Sequence, residues 1–470
     1  MIRALTLGWL ALIVLSGCTK SPVSVPVPDP DTTKELVVTT RYGPATYYLD
    51  AESNRAGYTH DVIQAFADQN GWTVKWQESE SYAELFSRLH DRKTHLVAAN
   101  LIAAAVEEQQ LLRTPPLYYT RVVVVTRDTA PKIRNLADLS KVRLGAMADS
   151  GHFPLLESLR HKYPKLNWVS LQDVFPEELL NRLAEGEFDA VVVNEQDYDL
   201  ARNHYPSLKI TYSLADKQPV VWALPYRSSK KLALKLNSFF IESRRNGRLK
   251  QIYERYFGHV KRLEPEHAEG ILDRRLSTLP RYRKYFHEAE NLTGIDWRML
   301  AAIGYQESKW DPYATSYTGV RGLMMLTNET ADRMGVTDRL DPKQSILAGA
   351  KYLTLLKESL PARIAEPDKT WLALAAYNQG LGHLEDARRI AQAKGMNPDS
   401  WADVKQTLPL LSRGGYRGVT RYGYARGGEA VIFVESIRNY YDILARLEPD
   451  YSPLLFGREN LPEKLALLFN

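Results

Sequence analysis

The sequence changes its pattern near residue 258, and this change limits the folds that the chain can adopt. From Glu35 to Gly258, short β-branched runs such as Val122 to Thr126 alternate with helical segments. Beyond that point alanine is frequent, and apolar residues recur every three or four positions, as in Ala430 to Leu447. Alternating strands and helices are typical of an α/β fold with a largely parallel sheet. The chain is therefore predicted to contain an α/β domain followed by an all-α domain.

The individual segments predict where these domains begin and end. In the α/β half we expect one helix at Asp61–Gln69 and strands at Leu36–Thr40, Trp72–Trp76, Val122–Thr126, Val142–Ala146, Asp189–Val193 and Pro219–Leu224. In the other half we expect helices at 297–307, 371–378 and 430–447. The predicted order is a signal segment, a tether, the α/β domain, a linker, the all-α domain and a tail, at 1–17, 18–34, 35–258, 259–283, 284–450 and 451–470.

The N-terminus resembles a bacterial lipoprotein signal. Arg3 supplies a short positive region, Leu5 to Leu15 is apolar but shorter than a membrane span, and Leu15-Ser16-Gly17-Cys18 matches a lipobox. The resemblance implies cleavage before Cys18 and lipidation of its sulfur and of the new N-terminus, which gives stable anchoring. Thr19 stands where aspartate would indicate the inner membrane, so the resemblance favours the periplasmic face of the outer membrane. The alternative is an ordinary signal peptide with an incidental cysteine.

Cysteine content and charge exclude several classes of protein. Cys18 is the only cysteine, so no intramolecular disulfide stabilises the fold. The formal charge is +5, and removal of residues 1–17 takes away only Arg3, which leaves +4. This weakly basic balance suits a polyanionic envelope as partner, and the sequence has no nucleic-acid-binding motif. It has no cysteine and histidine ligand set either, so we expect no metal and no cofactor.

One glutamate, Glu307, lies where an apolar residue would be expected. Leu300 and Ile303 precede it by seven and four residues, about two turns and one turn of a helix, so Glu307 continues a stripe that should face a core. A carboxyl group there is costly unless it has a partner or a function. Burial would raise its pKa, so that it could hold a proton near neutral pH and donate it to a leaving oxygen. The alternatives are a surface glutamate or one paired with a buried arginine.

The α/β half resembles the family-3 periplasmic solute-binding proteins. The resemblance rests on short segments in a fixed order: Gly57-Tyr58-Thr59-His60-Asp61-Val62, Pro115-Pro116-Leu117-Tyr118, Leu136-Ala137-Asp138-Leu139, Gly186-Glu187-Phe188-Asp189-Ala190 and Asn246-Gly247-Arg248-Leu249. It covers about half of the chain. It implies two lobes with a ligand cleft between them.

The residues expected to clamp an amino acid differ from that family's pattern. An acidic pair, Glu107-Glu108, stands where an arginine normally grips a carboxylate, and Asn194 and Glu195 stand where an aspartate normally grips an amino group. A free amino acid is therefore not expected as the ligand. Ser150-Gly151-His152 would begin a helix, either as an anion site or as an ordinary cap. We expect a muropeptide or peptide ligand, or a purely regulatory role for this domain.

The all-α half resembles the lysozyme-like lytic transglycosylases of the soluble-lytic type. Four blocks match in order: Gln306-Glu307-Ser308, Ala314 to Met325, Ala375-Ala376-Tyr377-Asn378 and Glu435-Ser436-Ile437-Arg438-Asn439-Tyr440. Met325 departs from the family, which usually has glutamine there. The resemblance implies that Glu307 is the general acid and then the base in cleavage between N-acetylmuramic acid and N-acetylglucosamine. The muramyl C6 hydroxyl would attack C1 of the same sugar and leave a 1,6-anhydromuramyl end.

The resemblance also implies a set of glycan-binding residues, each with a structural alternative. Ser316 would bond the substrate or shape a turn, Gly322 would let backbone approach a sugar or serve a tight turn, and Met324 would pack under the site. Tyr377 would place its hydroxyl near Glu307 or act as a core aromatic. The remaining implied residues are Asn378, which would otherwise end its helix, and Tyr440, which would otherwise be core.

Two further features bear on the reaction. Asp311 is the nearest second carboxylate, and we interpret Trp310-Asp311-Pro312 as a turn, so that Asp311 is structural. The stretch Tyr416 to Gly428, with Arg413, Arg417, Arg421 and Arg426, would line a groove for an acidic glycan or simply be a solvated loop.

The sequence predicts an anchored lytic transglycosylase that acts on peptidoglycan in cell-wall turnover, with a front domain that senses a ligand. A peptidoglycan-docked solute-binding protein and a hydrolytic muramidase are the alternatives. An ordinary hydrolase would need a second carboxylate to act as nucleophile or to activate water.

Overall fold

The computed structural model describes residues 26–451 except 44, 50–53, 149, 227–229, 261–262, 317–318, 413–415 and 417–419. The predicted signal segment with Cys18, the first part of the tether and the tail from 452 lie outside the described residues, as do Arg413 and Arg417. Within the described ranges, no helix is long and apolar enough to cross a membrane.

The front half alternates strands and helices as predicted. Its strands are β1 Glu35–Thr40, β2 Tyr48–Leu49, β3 Arg55–Ala56, β4 Thr73–Glu78, β5 Leu96–Ile102, β6 Leu112–Arg113, β7 Tyr118–Arg127, β8 Leu144–Met147, β9 Val169–Leu171, β10 Ala190–Asn194 and β11 Leu208–Leu224. Its helices are α1 Pro30–Thr33, α2 Tyr58–Asn70, α3 Tyr82–His90, α4 Ala103–Glu108, α5 Phe153–Lys162, α6 Pro176–Ala184, α7 Glu195–Ala201, α8 Lys230–Arg245 and α9 Arg248–Phe257, with a 3₁₀ turn at Leu136–Lys141.

The main sheet has nine strands in the order β4-β1-β5-β11-β7-β10-β8-β9, with β6 beside β11. Only the two ends are parallel, where β1 pairs with β4 and β5 and where β8 pairs with β9 and β10. The prediction of a largely parallel sheet is therefore wrong. The chain crosses between the lobes on β7 and returns on β11, and these adjacent strands of opposite direction pair antiparallel from Leu208↔Arg127 to Val220↔Tyr118. The predicted strand at 219–224 is the end of this long return.

Each lobe has its own core. One lobe packs α2, α8 and α9 on β1 and β5, with Phe66, Trp222 and Phe239 buried between them. The other buries Val123, Val125 and Val191 from β7 and β10 against α6. Buried valine-rich strands are what the sequence predicted for this half.

The second half is helical throughout its described part. Its helices are α10 Pro265–Ser277, α11 Arg283–Thr293, α12 Trp297–Ser308, α13 Asn328–Met334, α14 Pro342–Ser359, α15 Asp368–Gln379, α16 Leu381–Ala393, α17 Trp401–Thr407 and α18 Gly427–Leu447, with 3₁₀ turns at Leu279–Arg281 and Leu408–Ser412. The predicted linker at 259–283 contains α10. Ala268 and Ile271 of that helix are buried in the same core as α12 and α18, so this segment belongs to the helical domain.

Candidate active site

The helix α12 places Glu307 in its last turn. Asp296 caps its first turn by accepting a hydrogen bond from the Arg298 N–H, and Lys309 ends it in a left-handed conformation with φ 56°. Residues 297–305 are buried, and Glu307 is half-buried in the last turn of the helix. The predicted helix and its apolar stripe are therefore present.

The Glu307 carboxyl group is surrounded by protein but forms no hydrogen bond or ion pair with any residue that the structure describes. Burial alone raises its pKa from 4.5 to about 8. Among the residues that the structure describes, no arginine or lysine offsets this effect, so none of the described arginines pairs with Glu307. Glu307 can therefore carry a proton at neutral pH, as a general acid must.

The loop residues 320–326 pack beside the end of α12, where the Ser308 hydroxyl donates a hydrogen bond of 2.8 Å to the Leu323 carbonyl oxygen. The backbones of Arg321 and Leu326 exchange hydrogen bonds of 3.2 and 3.0 Å, which closes a tight turn around Gly322. Gly322 has φ +85°, and a Cβ atom there would lie 1.9 Å from the Arg339 carbonyl oxygen. This glycine is thus required by the close approach of two backbone segments. This is the tight-turn alternative for Gly322, and a contact with a sugar stays a prediction.

Tyr377, at the end of α15, joins this loop to the acid. Its hydroxyl donates a hydrogen bond of 3.0 Å to the Met324 carbonyl oxygen, and its ring packs against Tyr352 and Phe433. Burial raises the Tyr377 pKa well above its usual value, and the charge of Glu307 raises it further. Tyr377 is therefore brought to Glu307, as the sequence predicted.

Met324 and Ser316 have structural roles in this loop. The Met324 side chain is fully buried, and a Cβ atom on Gly349 would lie 2.8 Å from its Cε. It packs under the site and cannot touch a glycan with its side chain, so only its carbonyl group contributes. The Ser316 Oγ accepts a hydrogen bond of 3.2 Å from the Val320 N–H, which is the turn-shaping alternative. Asn378 is exposed at the end of α15, next to Tyr377.

Tyr440 differs from the expectation that it lines the cleft. It is 2% exposed and packs edge-on against Tyr305, with 4.8 Å between ring centroids. The Lys309 ammonium lies 5.1 Å from the Tyr440 ring and 4.5 Å from the Tyr305 ring. Successive helical residues turn by about 100°, so Tyr305 and Glu307 point to different sides of α12. Tyr440 is therefore core on the side away from the acid.

The block around Glu435 also faces away from Glu307. The Glu435 carboxylate is fully buried, accepts a hydrogen bond of 2.7 Å from the Trp401 indole, and pairs with Arg438 at 3.3 Å and Lys405 at 3.5 Å. Burial acts to raise the Glu435 pKa, but the charges of Arg438 and Lys405 lead the effects that bring it below its usual value. Arg438 donates two hydrogen bonds of 2.9 Å to the carbonyl oxygens of Glu254 and Arg255 in α9.

The neighbouring residues of α18 continue this joint with the front domain. Asn439 donates a hydrogen bond of 2.9 Å to the His259 carbonyl oxygen and accepts one of 2.6 Å from Asn203. Further along, Arg446 pairs with Glu177 of the front domain. One helix therefore contacts both the catalytic helix α12 and the solute-binding half.

The front domain has a cavity of 380 Å³ between its lobes, which is lined by Arg41, Asn100, Phe175, Asp197 and Arg446 among others. Arg41 bridges the lobes, because its guanidinium donates to the carbonyl oxygens of Glu80 and Val174 at 3.1 and 2.9 Å. Burial raises the Asp197 pKa to about 7 against the opposing effects of Asn194, Arg41 and Asn100. The cavity therefore presents a cation and a carboxyl group to a ligand.

Sequence reasoning missed both of these cleft residues. Arg41 follows β1 directly, and Asp197 lies in the first turn after β10, two residues beyond Glu195. Position relative to a strand end is the signal that could have identified them. Glu195 instead pairs with Arg121 at 2.8 Å.

The predicted helix start at 150–152 is closed by internal bonds. Ser150 donates a hydrogen bond of 2.8 Å to the Met147 carbonyl oxygen, and the His152 ring lies 3.0 Å from the Asn194 side-chain oxygen. Burial lowers the His152 pKa. This histidine is part of the packed interior of the lobe.

No group of three or more histidine, cysteine, aspartate or glutamate side chains in the described part of the chain is arranged to hold a metal ion.

Comparisons with known proteins agree with this division. Residues 284–399 match the model of the transglycosylase SLT domain, and residues 35–259 match that of the bacterial extracellular solute-binding proteins, family 3. These matches confirm the predicted fold class of each half.

Curated relatives match along the whole chain. A membrane-bound lytic murein transglycosylase F of Thiobacillus denitrificans is 53% identical and one of Methylobacillus flagellatus is 40% identical, each over 96% of this chain and 96% of its own. A solved ancestral arginine-binding protein bound to arginine aligns with 48% of this chain and 98% of its own, at a TM-score of 0.44 and 21% identity. A likeness of that size says nothing about the ligand of this chain.

Proposed function

The chain belongs to the membrane-bound lytic murein transglycosylase F family, and we propose that Glu307 is the acid with which it cleaves peptidoglycan. The observation that carries this proposal is the buried Glu307 carboxyl group, whose pKa is about 8 and which has no charged partner. Such a group is protonated at neutral pH and can donate to the glycosidic oxygen.

The second step uses the same carboxylate as a base. After the leaving oxygen takes its proton, Glu307 accepts the proton of the muramyl C6 hydroxyl, whose oxygen attacks C1. The C1–O bond to the leaving sugar breaks, a C1–O6 bond forms, and no water is consumed. The attacking oxygen belongs to the same sugar ring, so its proximity replaces the activation of an external nucleophile. The product ends in 1,6-anhydromuramic acid.

Asp311 does not supply the second carboxylate that a hydrolase needs. It is exposed, and its side chain accepts a hydrogen bond of 2.9 Å from the Tyr313 N–H within the turn after α12. This supports the structural role that we predicted for it. The non-hydrolytic reaction is therefore favoured over a muramidase.

The helix α18 supports regulation by the front domain. It packs on α12 within the catalytic core and reaches the front cleft through Arg446. A ligand between the lobes that changes the position of Glu177 would change its pairing with Arg446. We propose a muropeptide or peptide ligand, because Arg41 suits a carboxylate and Asp197 suits an ammonium group.

The relatives are described as membrane-bound, and we propose that this chain is anchored by lipid on Cys18 at the periplasmic face of the outer membrane. The lipobox is the support for this anchor. Labelling of the full chain with a radioactive or alkyne-tagged fatty acid, beside Cys18→Ala, tests it, and equal labelling of the two would contradict it.

Mass spectrometry of digested peptidoglycan tests the reaction. The chain without residues 1–18 should release anhydromuropeptides, and Glu307→Gln should release none. Glu358→Gln, at an exposed position of α14, is the matched control and should behave like the parent. Products with reducing ends would establish a hydrolase, and binding without cleavage by the parent would favour the solute-binding alternative.

A further inference from the structure

We propose that Tyr422 is a sugar-binding residue, whose exposed ring face receives a pyranose ring of the glycan strand beyond the bond that is cut. This inference deepens the proposed function and rests on it. Tyr422 lies in the arginine- and tyrosine-containing stretch 416–428, for which we predicted either a groove-lining or a merely solvated role. Three features support this site. They are a buried carboxylate that holds the loop, a glycine beneath the ring, and a short stretch of chain between that glycine and Tyr377.

The anchor is the carboxylate of Asp386 in α16, which is fully buried. It accepts hydrogen bonds from the backbone N–H groups of Arg421 at 2.8 Å and Tyr422 at 2.7 Å, and one from the Arg389 guanidinium at 2.7 Å. A buried carboxylate that receives two consecutive loop amides holds the loop in one place. The Tyr422 backbone is therefore pre-positioned.

The Tyr422 ring lies directly on the first turn of α16. A Cβ atom built on Gly382 would lie 2.9 Å from the ring atoms Cγ and Cδ1 and 3.0 Å from Cδ2, so only glycine lets the ring approach this closely. The His383 ring stands edge-on to the Tyr422 ring, with 6.4 Å between the ring centroids. With one side against the helix, Tyr422 is still 52% exposed. An aromatic ring held in this way can bind without losing much rotamer entropy.

The location fits a subsite next to the acid. Gly382 follows Tyr377 by five residues, so their Cα atoms are separated by at most about 18 Å even in an extended chain. Between them, Asn378 is exposed, and Gly380 turns the chain from α15 into α16 with φ 87°. Tyr377 itself contacts the loop that packs beside Glu307. Gly382, on which the Tyr422 ring packs, is thus a short stretch of chain away from Tyr377.

The chemistry of the ring suits a sugar. A tyrosine has an apolar face and a polar hydroxyl at its edge, which matches a pyranose with C–H groups on its face and hydroxyls around its rim. The Arg421 guanidinium lies 5.8 Å from the Tyr422 ring centroid and would meet the acidic groups that the strand carries. A contact with the peptide stem instead of the sugar is a separate outcome of the test.

Binding measured without turnover provides the test. We would use the chain that lacks only residues 1–18 and carries Glu307→Gln. Calorimetry would measure its binding to the tetramer of N-acetylglucosamine, which has no peptide. Tyr422→Ala should weaken binding on the order of ten-fold, the loss typical of one well-packed aromatic contact. Tyr422→Phe should retain most of the affinity. Gly382→Ala should also weaken binding, because its Cβ displaces an intact ring.

Tyr119→Ala, at a 61% exposed position in the front domain, is the matched control and should bind like the background variant. Unchanged affinity in Tyr422→Ala, or no tetramer binding by the background variant, would overturn the proposal. A loss seen only with peptide-bearing peptidoglycan would also overturn it, since the ring would then contact the peptide. A parent that makes no anhydro ends would refute the proposed reaction, and that readout is independent of Tyr422.

Discussion

Two glutamates of the helical domain, Glu307 on α12 and Glu435 on α18, differ in what surrounds their carboxyl groups. Burial acts on both in the direction that raises the pKa. In the described part of the chain Glu307 has no cation to oppose this effect, and its pKa rises to about 8. Glu435 has Arg438, Lys405 and the Trp401 indole, and its pKa falls below the usual value. Burial alone therefore does not decide the protonation state of a carboxyl group; its partners do.

The comparison separates two uses of a motif. Both glutamates belong to sequence blocks that resemble the same enzyme family, yet Glu307 is free to exchange a proton while Glu435 is held as a permanent anion. The anion holds Arg438, which caps the last carbonyl groups of α9 in the front domain. One block supplies chemistry and the other joins two domains.

The largest expected effect is on the stability of Glu435→Gln. Removing the anion leaves Arg438 and Lys405, which are 2% and 9% exposed, without the charge that stabilises them. Loss of one partner of a buried ion pair costs about 3 kcal/mol or more of unfolding free energy. Guanidinium unfolding followed by tryptophan fluorescence would report it, since Trp401 bonds to Glu435. Glu307→Gln is the matched variant and should lose no stability, because it removes a carboxyl group whose raised pKa lowers stability near neutral pH. Equal losses of unfolding free energy in the two variants would contradict the difference that we infer between the two carboxyl groups.

The next prediction concerns pH. The Glu307 pKa is about 8 in the folded chain and 4.5 in an unfolded one, so the folded state binds the extra proton between these values. Stability should therefore fall as pH rises from about 4.5 to about 8, and this slope should vanish in Glu307→Gln. Glu435 has a lowered pKa, so its contribution is present above 4.5 and is lost as pH falls through its folded value.

The same pKa sets the alkaline limit of activity. The acid must be protonated to act, so kcat should decline above a pH of about 8. Thermal unfolding and initial rates measured from pH 5 to pH 9 would check both effects. A rate that stays constant up to pH 9 would mean that another group donates the proton.

A smaller effect is expected for Tyr377→Phe. The substitution removes the hydroxyl that donates to the Met324 carbonyl oxygen, which costs about 1 kcal/mol of unfolding free energy. Cleavage should slow on the order of ten-fold, because the loop beside Glu307 loses its tie to α15. Tyr352→Phe changes a ring packed on Tyr377 at 5.3 Å and is the control. If both variants cleave at the parental rate, the hydroxyl of Tyr377 has no part in the site.

The sequence was sufficient for the position of Glu307 and for its helix. The apolar stripe that Glu307 continues depends only on local spacing, and it is present in the structure. The strand positions of the front half depend on local composition in the same way. Their pairing does not, because β7 and β11 meet across a long stretch of chain, and their antiparallel register was missed.

Packing direction was only partly visible in the sequence. Met324 is buried, in the packing position that the sequence predicted, and Gly349 on another helix makes room for its side chain. The sequence did not show that the predicted linker at 259–283 contains a helix packed in the helical core, because the charged residues of α10 conceal Ala268 and Ile271. Arg41 and Asp197 come together only when the two lobes do.

The smallest effect on stability and on cleavage is expected for Tyr440→Phe. Its hydroxyl lies 3.5 Å from the Lys309 ammonium, the outer limit of a hydrogen bond, and its ring stays packed on Tyr305 when the oxygen is removed. Unfolding free energy should change by less than about 0.5 kcal/mol, and cleavage by less than about two-fold. Rates of anhydromuropeptide release from the variant and the parent would measure this. A ten-fold loss at unchanged stability would instead restore the glycan-binding role that the family resemblance implies. It would require α18 to turn its Tyr440 face toward Glu307, and the joint at Glu435 and Arg438 would then have to rearrange with it.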